Sequence, residues 1–158
     1  MARRGKAPSR KINPDPVYKN KLVTKLINRS MKDGKKSVAQ RQVYKAFEII
    51  KAKEDDPIQV FIKSIENIKP VMEVRPRRVG GAAYQVPMPV RGARKDTLAI
   101  RWLIAAARGR NNSEYHTFAD KLAAEIMDAA KGEGGAVKKN QETQKMAEAN
   151  RAFAHFRW

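Results

Sequence analysis

The chain contains no cysteine. Disulfides, thiolate metal sites and cysteine nucleophiles are therefore excluded. Its two histidines, His116 and His155, stand at no ligand spacing from one another, so no metal and no cofactor is expected. Long hydrophobic runs are missing too. The longest uncharged apolar stretch, Trp102 to Ala107, falls far short of the ~20 residues a membrane helix needs. The N-terminus lacks the apolar segment of a secretory signal, and Pro8, Pro14 and Pro16 oppose an amphipathic transit helix. No membrane partner is expected. Acid is scarce: 34 Lys and Arg face 16 Asp and Glu, a net charge of +18.

The surplus is unevenly placed. Residues 1–36 hold 12 Lys/Arg against 2 Asp/Glu, residues 75–95 hold 6 and no acid, and residues 135–158 hold 5 against 2. The segments 37–73 and 97–134 are each neutral. Such a pattern points to three contact regions on one polyanion, carried by neutral packing segments. With 158 residues and 42% apolar content the chain is expected to form one domain with a real core.

Residues 1–16 show no apolar period and read as a basic arm. A helix follows with Leu22, Val23, Leu26, Ile27 and Met31 on one face, stopping by Gly34. A second spans about 37–53 and turns Ala39, Val43, Ala46, Phe47 and Ile50 inward. Asp56-Pro57 signals a cap and first position for a third, with the stripe Ile58, Phe61, Ile62, Ile65 and Ile68 ending before Pro70. Residues 71–90 switch period around Gly80-Gly81, which reads as a hairpin turn. That turn pairs Val79 with Ala82, Arg77 with Tyr84 and Arg75 with Val86. Pro76, Pro87 and Pro89 then all fall where no ladder N–H is required.

A fourth helix is expected from Asp96 or Thr97 to Arg108, with Leu98, Trp102, Ala105 and Ala106 inward. Ser113 is expected to cap a fifth, which carries Phe118, Ala119, Leu122, Ala123, Ile126, Met127 and Ala130 and ends at Gly132. Residues 136–149 have helical composition but a weak apolar face of Val137, Met146 and Ala149. The fold class is mainly α: five to six helices, a protruding two-stranded antiparallel hairpin, and basic extensions at 1–16 and 135–158.

Cations carry the functional signal. In the hairpin register Arg75, Arg77, Tyr84 and Val86 share one face, with Arg78 and Gln85 on the other. Guanidinium planes and a phenol ring stack on unpaired bases and reach phosphates. Arg3, Arg4, Lys6, Arg10 and Lys11 of the arm suit phosphates without base readout. Lys35 and Lys36 open a helix, whose N-terminal amides also favour anions. Arg91, Arg94 and Lys95 join the hairpin to the fourth helix, and Arg101 follows one turn on. Lys138, Lys139 and Lys145 lie on the last helix. GEGG at 132–135 is a helix–helix turn rather than a phosphate loop. Glu125 and Asp128 read as solvated carboxylates, and Trp102, Phe118 and Met127 as core. No acid–base cluster is present, so the chain is not read as an enzyme.

The segment VRPRRVGGAAYQVPMPV resembles the signature of the bacterial-type family of the seventh small-subunit ribosomal protein. PDPVYKNKLVTKLINRSMKDGKKSVA, TLAIRWLIAAAR and KMAEANRAFAHFRW resemble further blocks of that family in the same order, so the likeness runs nearly end to end. It implies a helical core with a protruding hairpin. It also implies direct binding of small-subunit rRNA, nucleation of the head domain, and nearness to exit-site tRNA, to the mRNA path and to head and platform proteins. By motif match the implied RNA contacts are Arg75, Arg77, Arg78, Tyr84, Arg91, Arg94, Lys95 and Arg101, joined by Lys35, Lys36 and the arm. Ala82-Ala83 departs from the more polar pair the family often has at the tip. The implied location is the bacterial cytoplasm rather than an organelle, with no homo-oligomer. The rival reading is an architectural DNA-binding protein, which also uses basic arms and a β-ribbon.

Overall fold

The computed structural model describes residues 11–53 and 56–156. Helix α1 (Lys21–Ser30) starts where the Asn20 side chain accepts from the Leu22 amide at 2.8 Å. Helix α2 (Lys36–Lys51) follows, then α3 (Pro57–Ile68), where Asp56 accepts from the amides of Ile58 and Gln59. Strands β1 (Met72–Val79) and β2 (Ala82–Pro89) form one antiparallel hairpin. Helices α4 (Ala93–Gly109), α5 (Phe118–Lys131) and α6 (Gly135–Ala149) complete the mainly helical fold, closed by a short 3₁₀ helix, Arg151–Phe156.

Helix α5 is the hub, packing on α2, α3, α4 and α6. Its composition explains this: Ala119, Ala123, Ala124, Ala129 and Ala130 are buried around it, and short side chains admit neighbours on several sides. Larger groups fill the spaces between. Phe47 and Phe61 are fully buried with ring centroids 5.6 Å apart, and Tyr18 meets Phe47 edge-on at 5.0 Å. The segment before α1 is anchored by Asp15, only 4% exposed. Its carboxylate accepts from the Val17 and Tyr18 amides and from the Tyr44 hydroxyl at 2.9 Å. Burial, more than offsetting a bond from Gln40, raises the Tyr44 pKa above the ordinary phenol value.

The hairpin register agrees with the sequence reading: Val79 opposes Ala82, Arg77 opposes Tyr84, and Arg75 opposes Val86. The Val90 amide donates to the Val71 carbonyl at 2.9 Å, which sets the parity of the ladder. Alternate pairs are hydrogen-bonded, so Pro76, Pro87 and Pro89 fall at the non-bonded pairs. Gly80 and Gly81 have φ of +58° and +88°, the left-handed pair that a two-residue primed turn demands.

Elsewhere the structure corrects the reading. Helix α1 stops at Ser30, before Gly34, which forms a left-handed turn with Asp33. On α3, Val60 and Ser64 are buried while Ile58 and Ile62 are only half-buried. Helix α4 begins at Ala93, so Arg94 and Lys95 sit in its first turn. Ala105 is exposed; Ala99, Ile100, Leu103, Ile104 and Ala107 are buried with Leu98. Ser113 does not cap α5. Thr117 does, through a reciprocal capping box with Asp120. On α6, Met146 and Ala149 are exposed, and Ala136, Val137 and Ala147 make the buried contact.

Candidate nucleic-acid interface

The base of the hairpin is organised by an acid. Glu73, just N-terminal to the acid-free stretch, is 7% exposed. Its carboxylate accepts from Arg75 Nε at 2.5 Å and from Arg94 Nε at 2.8 Å. The two arginine side chains remain 47% and 50% exposed. One buried carboxylate therefore aims two guanidinium groups outward and ties β1 to the start of α4. A pair of cations sharing one anion keeps a surplus positive charge facing solvent. Arg78 is exposed on the opposite face of the hairpin and Arg91 is exposed between β2 and α4, while Arg77 and Lys95 are half-buried. Arg101 is exposed on α4.

Tyr84 also has partners within the chain. Its ring is covered by the C-terminal 3₁₀ helix, with Phe153 and Phe156 centroids each 5.2 Å away. The phenol thus braces the hairpin from within, and the tail's aromatic residues find their packing partner there. The face carrying Arg78 and Gln85 is the open one.

Lys11 and Lys36 line a common groove of about 530 Å³ with Asn28 and Gln40, so the end of the arm and the start of α2 come together. Lys35 is exposed at the N-cap of α2, which has no side-chain cap. Lys138 and Lys139 are exposed on α6, where Lys139 pairs with Glu142 at 3.0 Å. Arg3, Arg4, Lys6 and Arg10 lie outside the described residues. Arg29, exposed on α1 within the first basic segment, lines a groove with Thr97 and Ile100 of α4.

Other charges are structural. Asp96 accepts from Lys25 at 3.1 Å and pairs with Lys69 at 3.2 Å. Burial alone would raise its pKa, but these two ammonium groups outweigh burial and hold the carboxyl below the usual range. Glu125, expected to be solvated, is 1% exposed. It accepts from the Ala136 amide at 2.9 Å and from Arg110 Nε at 2.7 Å, and Arg110 also bonds Asp128. Desolvation lowers the Arg110 pKa, but Asp128 and Glu125 outweigh it and raise the value. Among the described residues no group of His, Asp and Glu could hold a metal ion, and no helix is long and apolar enough to cross a membrane.

A hairpin with half-exposed arginines at its root, packed against α6 and the C-terminal 3₁₀ helix and following the block order quoted above, calls for comparison with known proteins. The family described as ribosomal protein S7p/S5e matches residues 2–151. The chain belongs to that family. The small ribosomal subunit protein uS7 of Carboxydothermus hydrogenoformans is 59% identical over 159 residues, covering 100% of each chain. The protein of the same name from Thermodesulfovibrio yellowstonii is 58% identical, and that from Streptococcus suis 57%, again covering 100% of each chain. The resemblance read from the hairpin and its flanking blocks is thereby established over nearly the whole length. The family is one of structural ribosomal proteins, not of enzymes.

Proposed function

We propose that this chain is a structural constituent of the small ribosomal subunit that binds head-domain rRNA directly and nucleates the folding of that domain. Its relatives are small-subunit proteins by name. The carrying observation is the Glu73 triad, which holds half-exposed Arg75 and Arg94 at the hairpin's root, with Arg78 exposed on the hairpin's other face and Arg91 exposed before α4. A cationic surface of this kind suits the backbone of a folded RNA junction, where shape rather than base sequence is read. Lys11, Lys35, Lys36, Arg101, Lys138, Lys139 and the arm residues Arg3, Arg4, Lys6 and Arg10 extend the contact. Arg77, Tyr84 and Lys95 support the same surface from partly covered positions.

In the assembled subunit the hairpin lies near exit-site tRNA and the mRNA path and beside head and platform proteins. The chain works as a single copy in the bacterial cytoplasm. Crosslinking on assembled subunits is the test. Crosslinks from 75–95 to head-domain rRNA are expected, and a hairpin that reaches no RNA would refute the reading. Preferential binding to duplex DNA over structured RNA would favour the architectural DNA-binding alternative.

A further inference from the structure

A cleft of about 260 Å³ opens between the α1–α2 turn, the first turns of α2, the end of α4 and the start of α5. Its walls are apolar, formed by Val38, Ala39 and half-buried Phe118. Val38 is 50% exposed. The rim is basic. Lys32 and Lys35 are exposed on one side, and Arg108 stands on the other, held by a 3.0 Å bond from Nη2 to the Ser30 carbonyl.

Gln42 also lines the cleft, and its Oε1 is buried without a hydrogen-bond partner, the one such side-chain atom among the described residues. A buried acceptor without a donor is costly and calls for a partner. The terminal amide torsion of glutamine is soft, so a modest rotation turns this group toward an occupant of the cleft. The volume lies below the ~300–1,000 Å³ of pockets that take drug-sized ligands, which favours a single planar ring system.

We infer that this cleft receives one unpaired adenine of the bound RNA. The inference rests on the RNA-binding reading above and adds a site to it. Apolar walls take the base faces, and Phe118 offers a ring to stack on. The Gln42 amide, one donor and one acceptor side by side, matches the adenine edge and satisfies Oε1 with the exocyclic amine. Lys32, Lys35 and Arg108 meet the flanking phosphates, assisted by the uncapped N-terminus of α2. An apolar peptide segment would leave this cationic rim without a partner.

The test is an NMR titration of the full chain with adenosine 5′-monophosphate, with uridine 5′-monophosphate and ribose 5-phosphate as comparisons. Adenosine 5′-monophosphate is expected to shift the amides of Val38, Ala39 and Gln42 and to give base-proton contacts with Val38 and Phe118. The uridine nucleotide should bind roughly tenfold more weakly, and ribose 5-phosphate should not shift the wall residues. Gln42→Leu should erase the preference for adenine while leaving the thermal midpoint unchanged or higher, because it deletes the unmet acceptor. Val38→Phe, at a half-exposed position, should occlude the cleft and weaken both nucleotides about tenfold or more. Equal shifts with ribose 5-phosphate, or undiminished binding by Val38→Phe, would overturn the inference. Filter binding to head-domain rRNA separates the two levels. Wild type binding the RNA with Val38→Phe binding equally well removes the cleft alone, whereas wild type failing to bind removes the RNA reading itself.

Discussion

Glu73 and Arg94 stand 21 positions apart in sequence, and their side chains meet in two bonds of 2.8 and 2.9 Å at the root of the hairpin. This contact makes the finger's orientation a property of the folded core rather than of the finger. A two-stranded ribbon alone is marginal in water. Here one end is fastened to α4 by Glu73, and the inner face is braced by Phe153 and Phe156 on Tyr84.

Glu73→Gln tests the fastening. Loss of the charge weakens both arginine contacts, and because the arginines are half-exposed the expected cost is about 1–2 kcal/mol, below that of a fully buried pair. Amide exchange of residues 74–88 should accelerate more than that of α5. Uniform acceleration across the chain would contradict a local anchor.

Removal of the brace is a separate matter. Phe153→Ala with Phe156→Ala should expose Tyr84 and make the peptide bonds of 151–156 early sites of limited proteolysis, with little change in the global unfolding midpoint. Unaltered cleavage would show that the rings do not hold the tail.

Asp96 gives the pH dependence a sign. Its carboxyl titrates below the ordinary value in the folded state because of Lys25 and Lys69. The stabilisation is therefore complete above the unfolded pKa of about 3.9 and is lost as pH falls through the folded value. Wild type should lose its advantage over Asp96→Asn as pH drops from about 5 to below 3, followed by urea unfolding. Parallel stability profiles for the two proteins would contradict this.

Among the described glycines, the one at the turn between α5 and α6 leaves least room for a Cβ. Gly134 has φ +92°, and a Cβ there would lie 2.9 Å from Glu125 Oε1. Gly134→Ala should cost about 1–3 kcal/mol through strain and through disturbance of the Glu125–Ala136 bond. Gly109→Ala, with open space and no positive φ, should be neutral or gain roughly 0.4–1 kcal/mol. Calorimetry of the two variants should give shifts of opposite direction or one near zero.

What the sequence disclosed follows the range of the interaction. The hairpin register was legible because a glycine pair and three prolines of one parity restrict it within twenty residues. The Asp56-Pro57 start was legible for the same reason. Ser113 and Thr117 are equally good cap residues in isolation, and only the Thr117–Asp120 box picks out the true start of α5. Ala105 is ambiguous because alanine fits either face of a helix. The burial of Glu125 leaves no local mark: Arg110 reaches it from 15 positions away, and the Ala136 amide needs an acceptor. The packing of Tyr84 on Phe153 and Phe156 leaves no local mark, because those rings lie far along the chain.

The most direct measurement is the salt dependence of affinity for head-domain rRNA, for wild type and for Arg78→Gln with Arg91→Gln. Wild type should show a linear fall of log K with log salt, with a slope of about −0.7 to −0.9 per phosphate contact. Each arginine removed should lower the slope by about one. A salt-independent affinity, or an unchanged slope in the double variant, would contradict electrostatic capture through the hairpin.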